Sequence, residues 1–370
     1  MSNNTGFQFQ TYGSAVHAET VALLIRHALT TMPTLPQGER PTPVCIWGMH
    51  GIGKTELVRA LAKEINAPLV YIAPAQFEEM GDLVGMPRID GVVTRFAPPS
   101  WTPQEEGPGI LLLDDVNRAD DRILRGIMQL LQFYELVSWE LPKNWLIVLT
   151  ANPDGGDYSV TPMDDAMLNR MLHVTMTFDA PTWAKWAEKA GIDERGINFV
   201  LAYPELVNGK RTTPRSLVQF FELIKPFDDL NEHLPLIKLL GESCLENETV
   251  QAFVSFIHLR LDQLPGPDQI VENEDFDQIA SRIERLVNDG NVQRLDILSI
   301  IVTRLINYLQ LHASTIDETR IKQVAQFILL PFIPNDLRLS MAQALTASNH
   351  PKLMKLYAIP AIGELLLKRM

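Results

Sequence analysis

Short runs that are apolar at nearly every position recur through the first half of the chain, which is typical of strands covered on both faces of a parallel sheet. Helical apolar spacing is found at residues 14–32, before the first of these runs, and at 56–65, between the first and the second. The predicted strands are 44–47, 68–73, 110–113, 145–149 and the alternating segment 173–178. The pattern therefore predicts an α/β fold, with a parallel sheet flanked by helices in the doubly wound class.

The apolar spacing becomes helical throughout from Pro181 onward. It predicts helices at 182–190, 196–203, 214–224, 277–289, 293–311, 317–330, 335–347 and 352–368. We find no strand-like pattern beyond about Pro226. We therefore expect an α/β core over 1–180, an all-α lid over 181–226 and an all-α C-terminal region over 227–370.

Two predicted hairpins interrupt this arrangement. Asp90-Gly91 lies between alternating residues in 88–96, which is a strong hairpin signal, and a second hairpin is expected around 137–142. Neither adds catalytic groups to the core. Each hairpin either contacts a partner or is a decoration of the fold without a function. Contact with a partner is a real alternative because functional residues concentrate on connecting segments.

Composition excludes several classes of protein. The 370 residues carry 32 basic and 45 acidic side chains, for a net charge of −13, so we expect a protein partner and no nonspecific grip on nucleic acid. Cys45 and Cys244 are too few for a disulfide framework or a zinc site and are interpreted as reduced core thiols. The first residues are polar and no apolar run approaches the ~20 residues of a membrane span. A cytoplasmic location is the expectation.

The candidate chemistry begins directly after the 44–47 run. A glycine-rich loop ending in Lys54-Thr55 opens the helix 56–65, which is the arrangement that cradles phosphates on backbone N–H groups. Lys54 would neutralise the outer phosphates and Thr55 would hold Mg²⁺. We expect a nucleoside triphosphate here, with ATP and Mg²⁺ as cofactors. The predicted binding residues are Gly48, Met49, His50, Gly51, Ile52, Gly53, Lys54, Thr55 and Glu56.

Polar residues follow the next two strands of the core. Asp114 and Asp115 come after 110–113, and Asn152 comes after 145–149, so all three are expected at the carboxyl edge of the sheet. Asp114 is predicted to bind Mg²⁺ through water, and Asp115 to polarise the attacking water with Asn152 orienting it. A pair of helix-capping acids and a local Asn-Pro turn are the alternative interpretations of these residues.

Two arginines are candidates for contacts with phosphate. Arg170 ends a predicted short helix, 163–170, from which it could reach the nucleotide of a neighbouring subunit, or it could simply complement the helix C-terminus. Arg215 follows Pro214 at a helix start, where a cation opposes the helix dipole, so we expect an anionic partner there.

The order of these motifs resembles the AAA+ ATPases. More narrowly, the chain resembles the MoxR and dynein-related branch over roughly residues 40–225. This second resemblance is carried by 81–85, 98–101, 109–119 and 152–170. It implies roles as Walker A (Gly48 to Thr55), Walker B (Asp114, Asp115), sensor 1 (Asn152), arginine finger (Arg170) and sensor 2 (Arg215). It further implies a homo-oligomeric, hexameric ring that hydrolyses ATP to remodel a protein, often with a partner that carries a von Willebrand factor A domain.

One departure from the family is that Asp115 stands where these proteins usually have Glu. The shorter carboxylate would hold the water less well, so we expect slow turnover, since an optimally placed general base contributes about 10²–10⁴ in rate. Two alternatives stay open. The loop followed by Leu-Leu-Leu-Asp-Asp-Val also resembles the STAND signalling switches, and the helical C-terminus would suit a DNA-directed AAA+ motor or clamp-loader relative.

Overall fold

The computed structural model describes residues 12–36, 39–153, 160–208, 210–272, 275–289 and 292–367. The polar N-terminal residues 1–5 and the predicted helix end at Lys368 lie outside these ranges. The chain divides into two compact units, Met1–Phe178 and Asp179–Met370. Over the described residues, no helix combines the length and the apolar character that crossing a bilayer requires.

The first unit is built on one six-stranded sheet in which every neighbouring pair of strands is parallel. Its elements are β1 (Ser14–Val16), α1 (Ala18–Thr31), β2 (Val44–Trp47), α2 (Lys54–Glu64), β3 (Leu69–Ile72), α3 (Met80–Val84), β4 (Met86–Asp90), β5 (Val93–Ala97), β6 (Gly109–Leu113), α4 (Asp121–Phe133), β7 (Glu135–Leu136), β8 (Trp139–Glu140), β9 (Trp145–Ala151), α5 (Asp165–Leu168) and β10 (Leu172–Met176). The strand order is β1-β10-β2-β9-β6-β3. The expected parallel α/β core is confirmed.

The central strands are apolar at most positions because both faces of the sheet are covered. Successive residues alternate between two cores, as Cys45 and Trp47 face one side while Val44 and Ile46 face the other. Helix α4 packs on the first face, and α1 and α2 pack on the second. Burial on both faces fixes the sheet and holds its carboxyl edge in place beneath the loops.

One strand of this sheet was not predicted. The segment 14–32 was expected to be a single helix, but Ser14–Val16 pairs in parallel with Val174–Met176, and the helix begins only at Ala18. The apolar spacing of the following helix masks so short a strand. The helix expected at 163–170 is also shorter, covering only Asp165–Leu168.

Both predicted hairpins are present. β4 and β5 pair antiparallel around Gly91, and β7 pairs with β8. The second hairpin begins two residues earlier than the expected 137–142.

The second unit is helical apart from one small hairpin. Its elements are α6 (Ala180–Ala190), α7 (Glu194–Ala202), α8 (Pro214–Ile224), α9 (Leu234–Cys244), α10 (Asn247–His258), α11 (Pro267–Glu272), α12 (Phe276–Val287), β11 (Asn288–Asp289), β12 (Val292–Gln293), α13 (Leu295–Leu311), α14 (Glu318–Ile328), α15 (Asn335–Ala347), α16 (Pro351–Met354) and α17 (Pro360–Leu367). The expectation of no strand beyond Pro226 is therefore wrong at β11 and β12. These strands are two residues each, too short to leave a pattern.

Helices from the predicted lid and from the predicted C-terminal region pack together in this unit. Arg304 of α13 is 5% exposed, and its guanidinium lies 3.0 Å from Glu194 of α7 and 3.6 Å from Glu188 of α6. It also donates to Oδ1 of Asn198 at 3.1 Å. These contacts tie α13 to α6 and α7. The boundary at residue 226 stays a prediction.

Candidate functional site

The glycine-rich loop connects β2 to α2 at the carboxyl edge of the sheet. Gly53 precedes the helix with φ of 100°, a backbone conformation that residues with a Cβ rarely adopt. At the other end of the loop, a Cβ on Gly48 would lie 2.8 Å from the carbonyl oxygen of Met176. The sequence therefore requires glycine at both positions, and helix α2 begins with its N–H groups directed at this loop. Glu56, the third residue of α2, is exposed.

Lys54 is held inside the loop by three acceptors. Its Nζ donates to the carbonyl oxygens of Gly48 at 2.6 Å and Met49 at 3.1 Å, and to Oδ1 of Asn152 at 3.1 Å. The residue is only 5% exposed. Each ammonium N–H thus has an acceptor, which offsets the cost of burying the charge. The lysine predicted to contact phosphate and the asparagine predicted to orient water are direct neighbours.

Asp114 and Thr55 form the second contact of the site. Thr55 donates from Oγ1 to Oδ1 of Asp114 at 2.5 Å, which joins the start of α2 to the end of β6. Thr150 of β9 donates to the same oxygen at 2.7 Å, and Tyr71 donates to Oδ2 at 3.1 Å. A hydroxyl and a carboxylate side by side form a donor set that suits a hard cation such as Mg²⁺.

Asp115 lies beside this pair and contacts the third strand end. Its backbone adopts a left-handed conformation, with φ of 48°, immediately before a short 3₁₀ turn. Oδ1 accepts from Nδ2 of Asn152 at 3.0 Å, and the Arg118 guanidinium lies 3.5 Å from Oδ2. The side chain is 36% exposed, so one part of the carboxylate faces solvent. That geometry leaves Asp115 able to accept a proton from a water molecule.

Sequence reasoning assigned no role to two buried residues that hold the acids in place. Thr150 Oγ1 accepts from the backbone N–H of Asp115 at 2.8 Å while donating to Asp114, so a single hydroxyl aligns both carboxylates. Asn117 donates to the carbonyl of Asn152 at 2.8 Å and accepts from its N–H at 3.1 Å. Both side chains are fully buried. The sequence did contain a signal for Thr150. This residue lies near the end of strand β9, two residues before Asn152, and side chains two residues apart along a strand point to the same side.

Two ionisable groups near the loop are shifted by their surroundings. Burial raises the pKa of the Cys45 thiol far above its usual range, which keeps this core thiol protonated. Burial also raises the pKa of Tyr71, and the neighbouring Asp114 carboxylate adds to the effect. Tyr71 therefore acts as a hydrogen-bond donor to the site.

Arg170 lies away from this cluster. It precedes β10, whose first residue pairs with the first residue of β2, whereas the glycine-rich loop follows the last residue of β2. Its guanidinium donates to Oε1 of Gln132 on α4, with Nε at 3.1 Å, and to the carbonyl of Ala166. Because the strands are parallel, Arg170 lies at the amino edge of the sheet, opposite Lys54.

Arg215 belongs to the second unit. It is the second residue of α8 and is exposed, between Thr213 and Ser216, which exchange hydrogen bonds at the start of the helix. Among the described residues, its side chain makes no hydrogen bond or ion pair. Its predicted role as sensor 2 stays a prediction.

Comparison with known proteins covers this same part of the chain. Residues 43–171 match the family model of the AAA domain, dynein-related subfamily. An ATP-dependent protease ATP-binding subunit-like protein of Rhodococcus erythropolis is 29% identical over an alignment of 138 residues that covers 33% of this chain and 37% of that protein. The replication factor C large subunit of Ignicoccus hospitalis is 24% identical over 162 residues, covering 42% and 31%.

Among solved structures, a RuvB mutant of Thermotoga maritima is 14% identical with a TM-score of 0.40, covering 83% of this chain and 87% of that one. The chain spans about a third of the length of these two curated relatives. The family match includes the loop, both acids, Asn152 and Arg170. Over residues 43–171 the chain is therefore similar to the AAA domain of the dynein-related subfamily.

Proposed function

We propose that this protein binds MgATP at the loop 48–55 and hydrolyses it to ADP and phosphate. The observation that carries the proposal is the continuous chain of hydrogen bonds from Lys54 through Asn152 to Asp115, beside the Thr55–Asp114 pair. Bound MgATP would supply the electrophilic γ-phosphorus and a cation to neutralise charge. Lys54 and the loop N–H groups would bind the phosphates, and Thr55 and Asp114 would hold Mg²⁺.

In the proposed reaction Asp115 accepts the proton of the attacking water. Asn152 orients that water because its amide already contacts the Asp115 carboxylate. Proton transfer to a positioned carboxylate contributes about 10²–10⁴ in rate. Asp115 is one methylene shorter than Glu, which supports a slow turnover.

We further propose that the site is completed by a neighbouring copy in a ring, with six subunits as the expected number. Arg170 lies at the opposite sheet edge from its own loop, which supports a role at the nucleotide of a different copy. A guanidinium supplied in this way stabilises the charge of the transition state. Arg215 is proposed to act on nucleotide as sensor 2.

The proposed work of the ring is to remodel or activate a protein in the manner of the MoxR branch. The proposed partner is a von Willebrand factor A domain protein. Two features favour a protein over nucleic acid. The chain has a net charge of −13, and one relative is named as an ATP-dependent protease ATP-binding subunit-like protein. A cytoplasmic location is part of the same proposal.

Measuring ATPase rate against protein concentration tests this function. Specific activity should rise with concentration in the wild type and stay near zero in Arg170→Ala. Arg122→Ala is the matched control, because Arg122 is 75% exposed on α4 and forms a long ion pair with the nearby Asp120, at 3.7 Å. A flat, near-zero rate with tightly retained ADP would instead favour a signalling switch. A rate that rises on adding DNA would favour a DNA motor.

A further inference from the structure

The β4–β5 hairpin, residues 86–97, is exposed along its entire length. Each of its strand residues is exposed, including the apolar Ile89 at 82%, Val93 at 49% and Phe96 at 38%, while Val92 at the turn is fully exposed. An isolated two-stranded hairpin has little stability in water, and exposed apolar side chains are common at binding sites. The hairpin therefore presents an uncovered surface.

The antiparallel register gives the two faces of the hairpin different chemistry. Arg88 lies directly opposite Arg95, and residues opposite one another share a face. Two like charges in this position repel one another. Asp90 relieves only part of this, through an ion pair with Arg95 at 3.1 Å. Among the described residues, the Arg88 side chain makes no ion pair or hydrogen bond. This face attracts an anion.

The opposite face is apolar. Ile89 and Phe96 project there, because side chains alternate along a strand, and they are accompanied by Pro87 and Thr94. β4 and β5 pair only with one another in the sheets of the described residues, so the outer edge of each strand has unpaired backbone groups. An added strand can use such an edge, with its alternate side chains reaching the two faces.

The base of the hairpin is held firmly, unlike its faces. Three successive carbonyl oxygens at the end of α3 each accept a side-chain donor: Asp82 from Trp101 at 3.2 Å, Leu83 from Trp139 at 3.0 Å and Val84 from Ser138 at 2.5 Å. Next to them a Cβ on Gly85 would lie 2.1 Å from the carbonyl oxygen of Ala97, so the backbone closes tightly there. A rigid base positions the exposed strands for binding without a cost of ordering the base.

We infer that the β4–β5 hairpin binds an extended segment of a partner protein in which acidic and apolar residues alternate. The acidic residues pair with Arg88 and Arg95, and the apolar residues cover Ile89 and Phe96. Only two arginines are present on this face of a chain of net charge −13, which favours a protein over the many phosphate contacts of a nucleic acid. The inference deepens the proposed remodelling activity, on which it rests, by naming the chemistry of the partner.

Fluorescence anisotropy of a labelled peptide with alternating glutamate and leucine tests this on the full chain, with and without MgATP. The peptide is used below the concentration at which it self-associates. Binding to the wild type is expected. Arg88→Gln and Arg95→Gln should each weaken it by about tenfold, the effect of losing a hydrogen bond between charged groups. Ile89→Ser with Phe96→Ser should weaken it by a similar factor.

The matched controls are Arg122→Gln and Leu23→Ser, an exposed arginine and an exposed leucine at 65% on other elements, which should bind as the wild type does. The inference is overturned by absent binding, by equal binding of a lysine–leucine peptide, or by hairpin variants that bind normally. Preferred binding of single-stranded DNA would also overturn it. So would altered sedimentation of the hairpin variants in the absence of peptide, since that would indicate that the hairpin forms a contact between copies of the chain. Lys54→Ala separates the two proposals, since it should lose ATPase activity and keep peptide binding.

Discussion

Asn152 donates a hydrogen bond from Nδ2 to Oδ1 of Asp115 at 3.0 Å, while its own Oδ1 accepts from Lys54 at 3.1 Å. One amide therefore joins the cation of the phosphate loop to the carboxylate proposed as the base. Asn117 hydrogen bonds to both backbone groups of Asn152 and so fixes the backbone from which this amide projects. The amide can keep its contacts with Lys54 and Asp115 only in this orientation. Turned over, its carbonyl oxygen could not donate to the Asp115 carboxylate and its N–H₂ group could not accept from Lys54.

Replacing the amide should impair catalysis more than nucleotide binding. Asn152→Ala removes the group that aligns Asp115, while the loop N–H groups and Lys54 remain to bind phosphate. We expect kcat to fall by about 10²-fold or more, with a smaller change in nucleotide affinity. Steady-state ATPase rates and fluorescent-nucleotide titrations measure the two quantities. An unchanged kcat would remove Asn152 from the mechanism.

Turnover should depend on both the length and the charge of the side chain at position 115. Asp115→Asn keeps the shape of the side chain but removes the base, so turnover should drop by about 10²–10⁴ while ATP remains bound. Asp115→Glu restores the length usual in AAA+ proteins and should raise kcat. Asp121→Asn, at an exposed position of α4, is the control. If both changes at Asp115 leave the rate unaltered, another group accepts the proton.

Loss of the Thr150 hydroxyl should weaken the use of Mg²⁺ by the site more than it weakens the fold of the sheet. Thr150→Val removes the hydroxyl that donates to Asp114 and accepts from the N–H of Asp115. The partly buried N–H of Asp115 is then left without this acceptor, at a cost of at most about 1–3 kcal/mol. We expect a higher Mg²⁺ concentration for half-maximal ATPase activity. Thr175→Val is the control, because Thr175 is also buried in the sheet but donates to Tyr12, away from both acids. Equal Mg²⁺ requirements in the two variants would contradict this role.

The sheet was predictable because its strands are short and buried on both faces. The runs at 44–47 and 110–113 had no polar interruption, and each was followed at once by chemistry-bearing residues. β1 was missed because Ser14–Val16 is short and only partly buried, so no apolar run marks it. Its pairing with β10 depends on residues more than a hundred positions away.

The site residues were predictable wherever the type of a residue and its position directly after a strand were enough to indicate its role. Lys54, Thr55, Asp114 and Asn152 all lie at the expected sheet edge. Thr150 was harder to recognise, because a threonine inside an apolar strand is usually a core residue. Its role arises from the register of β9 against β6, which pairs Leu149 with Leu113 and so brings the next residue of β9 beside the two acids.

Mixing two inactive variants tests whether the site is shared between copies. Lys54→Ala should lack nucleotide binding, and Arg170→Ala should bind nucleotide without hydrolysing it. In a mixed ring, an intact loop from the second variant can meet an intact Arg170 from the first, so ATPase activity should reappear. Each variant assayed alone at the same total concentration is the control. A mixture as inactive as its components would contradict catalysis by a neighbouring copy.

The second unit should lose stability as pH rises from about 4.5 to about 7, because of Glu188. Burial raises the pKa of Glu188 to about 7 from 4.5, and the nearby Arg304 offsets only part of this shift. The folded state therefore holds a proton between these values that the unfolded state has released. The free energy of unfolding must then decrease as pH increases across this window, by up to about 3 kcal/mol. Glu188→Gln should flatten the change in urea midpoint between about pH 5 and about pH 8. Glu222→Gln, at a half-exposed position of α8, should keep the wild-type slope, and an equally steep slope in Glu188→Gln would assign the effect to another group.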